Sequence, residues 1–346
     1  MAAQGLNALV DIDRLAINGF VEPLRRLPDL IAILRSLRDT FAGQPPDVFV
    51  GVDFNVFNLM LEARLKRLGI PTVHYVSPSV YAWRRGRVRR VARSADMLLA
   101  LFPFEPAFYR GLRLQVVYVG HPLADEIALD AGSEAARRKA CEDLHVPADQ
   151  ECVALLPGSR LSEVRLMAPV FFAAAREIAR VRPAVTFVVP CVRPEIAAWL
   201  EQHADEYAGL SVLIHSGNAR QALTACQAAL VKSGTSTLEA MLLRRPMVVS
   251  YKLGELSYQV IRRMVRSPYI ALPNILADAP LVPELIQHAA RPQELANKIV
   301  GLLDKGQGDA EYLAEFAALH VQLRQGADER AASAVAGWFG DRGKSE

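Results

Sequence analysis

Two junctions of the same kind constrain this chain more than anything else in it. The first is Cys152-Val-Ala-Leu-Leu-Pro-Gly-Ser-Arg160, a short apolar run, a Pro157-Gly158 turn, and a long helical pattern from Leu161 onward. The second is Ala229-Leu-Val-Lys-Ser-Gly-Thr-Ser-Thr-Leu-Glu239. Each reads as a buried strand, a tight turn and a helix start. Free backbone N–H groups and the positive end of a helix dipole meet at such a turn, which favours an anion. Arg160 adds a planar cationic fork suited to phosphate oxygens. Two such turns in one half of a chain imply a phosphate-bearing ligand gripped from two sides.

The rest of the chain keeps the same rhythm. Strands are expected at 47–52, 72–76, 97–102 and 116–119, then at 152–156, 186–190, 211–214, 228–231 and 247–250. Helical patterns separate them, including Phe57 to Leu68 with Leu59, Leu61, Leu65 and Leu68 as apolar positions. Strands alternating with helices make an α/β chain with parallel sheets and ligands at the carboxyl ends of the strands. At 346 residues, two such domains are expected. The predicted division is 1–145, 146–308, and helices over 309–346 packing back across the body.

Composition excludes some classes. No apolar run reaches the roughly 18–20 residues of a membrane span. The start, Met1-Ala-Ala-Gln-Gly-Leu, lacks the basic and apolar regions of a secretory signal. Cys141, Cys152, Cys191 and Cys226 lie far apart and read as buried reduced thiols. His and Cys never cluster at metal-ligand spacing, so no metal is expected. Neither G-x-x-x-x-G-K-[ST] nor a strand-linked G-x-G-x-x-G occurs, which argues against P-loop and dinucleotide enzymes.

Net charge is only +3, but no acidic residue lies between Thr72 and Ser94. Within that stretch Tyr81, Trp83, Arg84, Arg85, Arg87, Arg89, Arg90 and Arg93 crowd together. Aromatic rings beside arginines suit an anionic membrane surface. A solvated helix face and a nucleic-acid surface are the alternatives.

Several positions are candidates for chemistry or binding. Asp53 follows the strand Val48–Val52 and reads either as a base for an attacking hydroxyl or as a turn or capping aspartate. Arg160 reads as a phosphate ligand or as an ion-pair partner of Glu163. In Ser233-Gly234-Thr235 the glycine allows close approach and the hydroxyls cap a helix or bind phosphate, while Glu239 reads as a ribose ligand or an exposed helix charge. His121, in Gly120-His-Pro122, reads as a structural histidine.

Taken in order, these segments resemble lipid-A-disaccharide synthase. The resemblance rests on Pro46-Asp-Val-Phe-Val-Gly-Val-Asp53, His74-Tyr-Val-Ser-Pro-Ser-Val80 with Ala82-Trp83-Arg84, and Phe104-Glu105 with Ala107-Phe-Tyr109. It continues through Val119-Gly-His-Pro122 with Ala124-Asp125, then Leu155-Leu-Pro-Gly-Ser-Arg160 with Glu163. Ser233-Gly-Thr235 with Leu238-Glu239, Pro246-Met-Val-Val249 and Leu272-Pro-Asn274 complete it.

The resemblance implies a GT-B fold of two Rossmann-like domains facing a cleft. It implies inverting transfer from UDP-2,3-diacylglucosamine to the 6-hydroxyl of 2,3-diacylglucosamine 1-phosphate, giving a β-1,6 disaccharide 1-phosphate and UDP, without metal or cofactor. It assigns Asp53 as general base and Arg160, with Gly158 and Ser159, to the leaving diphosphate. Ser233, Gly234, Thr235, Glu239 and Asn274 fall to the donor nucleotide, Asn274 from a loop beside the cleft. Tyr81, Trp83, Arg84, Arg85 and Arg87 become a docking surface, placing the chain on the cytoplasmic face of the inner membrane. Nucleic acid drops out as a partner, and a homodimer through the C-terminal regions is implied. The competing readings are a non-catalytic chain that binds UDP and membrane, and another GT-B UDP-sugar enzyme.

One departure stands out. The family opens with a strand, a Gly-Glu-Ala-Ser-Gly-Asp loop, a helix and a second strand, and none of that is present. About one strand–helix–strand unit, roughly 60 residues, is absent relative to the family. A start placed downstream of the true one, or a gene fragment, is expected, and the DNA before Met1 distinguishes them. An incomplete first sheet with exposed strand edges follows.

Overall fold

The computed structural model describes residues 5, 9, 22–80, 86–265, 267–305 and 310–342. Two separate parallel sheets organise them. The first holds β1 (Phe49–Val52), β2 (Thr72–Tyr75), β3 (Met97–Ala100) and β4 (Gln115–Tyr118), side by side in chain order. The second holds β5 (Cys152–Leu156), β6 (Thr186–Pro190), β7 (Val212–His215), β8 (Ala228–Lys232), β9 (Met247–Tyr251) and β10 (Glu284–Ile286), in the order β10-β9-β8-β5-β6-β7. The α/β architecture of two parallel-sheet domains is as expected, and each strand read from the sequence lies within two residues of its expected ends. The three-residue β10 and the helix Glu22–Gly43 were not anticipated.

The near-continuous apolar character of the strands has its cause in double-sided burial. All residues of β3 and β5 are buried, because helices cover both faces. In the second unit, Phe171 and Phe172 from the helix Leu161–Val181 pack with Phe187 of β6 on one face. Leu238 and Met241 from the helix Ser236–Leu242 pack with Val231 and Val249 on the other. The helix Glu134–Asp143 adds Ala140 and Cys141 to that second cluster.

Strand order decides where the site falls. β5 pairs with β6 on one side and β8 on the other, so chain order reverses there. The crevice outside the carboxyl ends of strands at such a reversal is where open α/β sheets bind ligands. Val153–Leu156 pair in register with Ala228–Val231, which brings the two anion-type turns side by side.

The C-terminal helices tie the halves together. Phe316, Leu319 and Leu323 of the helix Ala310–Leu323 enter the core of the second unit. Ala331, Ala334, Val335 and Trp338 of the helix Ala327–Arg342 lie against the first sheet. Between these helices, Asp125 accepts from the N–H groups of Gly326 and Ala327 at 2.9 and 2.6 Å. Among the described residues β1 is the outer strand of the first sheet, with Val50 41% and Val52 40% exposed.

Candidate active site

The turn after β5 leads directly into the helix Leu161–Val181. Gly158 adopts φ +143°, and a Cβ there would stand 2.7 Å from Glu163 Cβ, so both the backbone and the space require glycine. Glu163 folds back on the turn: the Ser159 N–H donates to its Oε2 at 3.2 Å, and Lys232 Nζ lies 3.0 Å from its Oε1. Glu163 therefore pairs with Lys232, not with Arg160 as the alternative reading of Arg160 has it. Arg160 is exposed at the helix start, and its charge is felt at the Tyr251 hydroxyl. Burial pushes that hydroxyl's pKa up, with Glu163 adding to the rise and Arg160 opposing it. Lys232 Nζ sits 4.8 Å from the centre of the Tyr251 ring, a cation–π contact.

A cavity of about 310 Å³ lies over these turns. Gly158, Ser159, Ser233, Gly234, Thr235 and Glu239 all line it, together with Lys232, Arg193 and Asn218. Ser233 Oγ donates to the Ile270 carbonyl, and Thr237 Oγ1 to that of Gly234. Thr235 precedes the helix Ser236–Leu242 but makes no capping bond with its side chain. Glu239 is half-buried, and desolvation raises its carboxyl pKa, opposed by Arg220. A carboxylate in that condition gains from hydroxyl donors such as a ribose diol.

Arg160 and Asn274 do not line the cavity. Asn274 is buried behind it, where its Nδ2 donates to the Val282 carbonyl and Glu284 Oε1, and its Oδ1 accepts from Val282 N–H. Glu284 in turn accepts from the N–H groups of Ile270 and Ala271. Asn274 thus braces the segment that receives Ser233. His121 also behaves as a structural residue, since its Nδ1 accepts from Leu123 N–H and burial lowers its pKa to about 4.

Asp53 stands apart from this cavity, at the carboxyl end of β1. It caps no helix, because the residue before the helix Asn55–Arg67 is Phe54. Asp53 and Phe54 both have left-handed backbone, φ 47° and 38°. Two consecutive non-glycine residues in that region are strained, and such strain collects at functional sites. The backbone is held by Asp53 N–H donating to the Tyr75 carbonyl at 2.9 Å and by Asn58 Nδ2 donating to the Asp53 carbonyl at 2.8 Å. The carboxylate itself is exposed, with Oδ1 accepting from Asn55 Nδ2 at 3.1 Å.

Beside Phe54 runs an apolar groove of about 740 Å³ that sequence reading missed. Leu27, Leu30, Ile31 and Leu34 of the helix Glu22–Gly43 face Phe54, Val56 and Met60, with Arg35, Arg38 and Arg64 at the same opening. The spacing of Leu27, Leu30, Ile31 and Leu34 is the available signal, a helical apolar stripe. Of the proposed docking residues, Tyr81, Trp83, Arg84 and Arg85 lie outside the described residues. Arg87 is exposed on the helix Gly86–Ser94, as are Arg89, Arg90 and Arg93, while Val88 and Val91 anchor the inner face. Among the described residues no helix is long and apolar enough to cross a membrane. All four cysteines are buried and free, and burial raises each thiol pKa, that of Cys152 to about 12.

Two parallel α/β units with a nucleotide-sized crevice at a strand-order reversal define a GT-B fold. Solved structures agree on that fold. A UDP-GlcNAc 2-epimerase from Neisseria meningitidis bound to UDP-GlcNAc superimposes with a TM-score of 0.64 at 13% identity, covering 98% of this chain and 87% of that one. Spinosyn rhamnosyltransferase SpnG, complexed with thymidine diphosphate, gives 0.53 at 16% identity, covering 89% and 77%.

Sequence relationship is narrower than fold. The family model for lipid-A-disaccharide synthetase matches residues 1–336. Lipid-A-disaccharide synthase of Methylobacillus flagellatus is 44% identical over 337 residues, 97% of this chain and 88% of that protein. The Pseudomonas aeruginosa UCBPP-PA14 protein of the same name is 45% identical, over 97% and 87%. The chain belongs to the lipid-A-disaccharide synthase family, glycosyltransferases of lipid A biosynthesis.

Proposed function

We propose that the chain moves the acylated glucosamine of UDP-2,3-diacylglucosamine onto the 6-hydroxyl of 2,3-diacylglucosamine 1-phosphate, with inversion, releasing UDP and a β-1,6 disaccharide 1-phosphate. The observation that carries this choice of substrates is the apolar groove beside Asp53, with arginines at its opening. Acyl chains suit Leu27, Leu30, Ile31 and Met60, and an anionic headgroup suits Arg35, Arg38 and Arg64.

In this reading the Asp53 carboxylate takes the proton of the acceptor hydroxyl as its oxygen attacks the anomeric carbon. The bond from that carbon to UDP breaks, and its electron pair goes to the diphosphate. Arg160, the turn at Gly158-Ser159 and the helix N-terminus meet the charge that develops there, and Lys232 supplies a second cation. Ser233, Gly234 and Thr235 surround the nucleotide side, with Glu239 on the ribose. Arg87, Arg89, Arg90 and Arg93 present a cationic face for the anionic inner-membrane surface that holds both lipids.

The test is turnover by the purified chain, read as UDP release and disaccharide mass. Product from the two acylated substrates, and none from UDP-GlcNAc as donor, is expected. Turnover of UDP-GlcNAc at an equal rate would overturn the assignment of substrates.

A further inference from the structure

Beneath Asp53 runs a line of polar side chains that no role above uses. His74 of β2 and Glu62 of the helix Asn55–Arg67 are both fully buried, with His74 Nδ1 2.7 Å from Glu62 Oε1. His74 Nε2 is 3.0 Å from Asn55 Oδ1, and Asn55 Nδ2 is 3.1 Å from Asp53 Oδ1. The line therefore joins the buried face of the first sheet to the exposed carboxylate. β1 accommodates it through Gly51, where a Cβ would stand 2.1 Å from Glu62 Oε1.

Donor and acceptor rules fix the direction at its outer end. The Asp53 carboxylate only accepts, so Asn55 turns its Nδ2 toward it. Asn55 Oδ1 then faces His74 and accepts from Nε2–H. That leaves Nδ1 toward Glu62. Among the described residues Glu62 Oε2 has no hydrogen-bond partner. Burial raises the Glu62 pKa, against an opposing pull from His74. The 2.7 Å contact between Glu62 Oε1 and Nδ1 closes the line at its buried end.

We propose that Glu62, His74 and Asn55 are positioning residues for Asp53. The relay fixes the rotamer of the Asn55 amide, which pins Asp53 Oδ1 and leaves Oδ2 for the acceptor hydroxyl. Left-handed backbone at Asp53 and Phe54 persists only when its surroundings hold it, and this relay is a part of that hold. The inference rests on the reading of Asp53 as general base.

The experiment is steady-state kinetics of the full chain with both lipid substrates, alongside unfolding midpoints. Asn55→Ala is expected to lower kcat about 10- to 100-fold. Its KM values stay within about twofold, and its midpoint falls by only a few degrees because the buried His74 Nε2–H loses its acceptor. His74→Leu loses as much, and the double variant loses no more than either single one. His74→Gln, whose amide both donates and accepts, recovers most of the rate. Should His74→Leu fail to fold, Asn55→Ala and His74→Gln decide the matter. Full activity in Asn55→Ala, with Asp53→Asn inactive, overturns the relay and leaves the base in place. Full activity in Asp53→Asn overturns the base and the relay with it.

Discussion

Around β5 and β8 each turn of the candidate site is written in a run of adjacent residues, whereas around β1 the environment of Asp53 is assembled from side chains of separate elements. Gly158, Ser159, Ser233, Gly234 and Thr235 line the cavity because each follows a strand end by a few residues. The environment of Asp53 needs Asn55, Glu62, His74 and Tyr75, from two elements separated by a loop, plus the helix Glu22–Gly43. The two sheets differ in cover as well. β5 lies inside its sheet and is wholly buried, while β1 is the edge among the described residues, with two exposed valines. In the proposed reaction the donor side is thus a preformed anion site, and the acceptor side is a braced, strained one. Substitutions on the first side should alter charge stabilisation, and those on the second should alter placement.

The largest expected effect is on the braced side. Asp53→Asn should lower kcat about 10³-fold while UDP affinity, measured by calorimetry, stays within about twofold. A parallel loss of UDP affinity would erase the division between the two sides. On the preformed side, Arg160→Ala should lower kcat about 10²-fold, and Arg160→Lys should restore only part of it, because an ammonium lacks the planar fork.

Stability should separate the sides in another way. Glu105, buried at the end of β3 and accepting from Leu101 and Phe102 N–H groups, has its carboxyl pKa pushed up to about 7 by burial. Its folded pKa lies above the ordinary value of 4.5, so the folded state binds the proton more tightly. Stability from this group is full below about pH 4.5 and is lost as pH rises to about 7, a change of about 2–3 kcal/mol. Glu105→Gln should flatten that decline in urea titrations at pH 4.5 and 7.5. An unchanged slope would remove Glu105 as its source. The smallest effect is expected at the groove: Ile31→Glu should raise the acceptor KM about tenfold for long acyl chains and leave a short-chain analogue nearly unaffected.

The legibility of these parts follows the same division. Pro157-Gly158-Ser159-Arg160 announces itself, because a turn and a helix start are written in adjacent residues. Glu62 reads as a surface charge in an amphipathic helix and His74 as one polar residue in an apolar strand. Only pairing β1 with β2, with Gly51 leaving room, makes them neighbours of each other. Asn274 shows the opposite case. Its motif marked it as a residue of the cleft, while its hydrogen bonds place it in the support of the Ser233 segment. Lys232 lay inside a recognised run, but its role depends on Glu163, brought across by the pairing of β5 with β8.

Sequence alone determined the alternation of strands and helices, the two anion-type turns and the family, because local periodicity, turn chemistry and ordered motifs are properties of adjacent residues. Tertiary structure decided which turns share a cavity, which cation answers Glu163, what stands behind Asp53 and where an apolar groove opens beside it. Those depend on strand order and on burial, and neither is local: a residue's partner across a parallel sheet lies a whole crossover away in the chain.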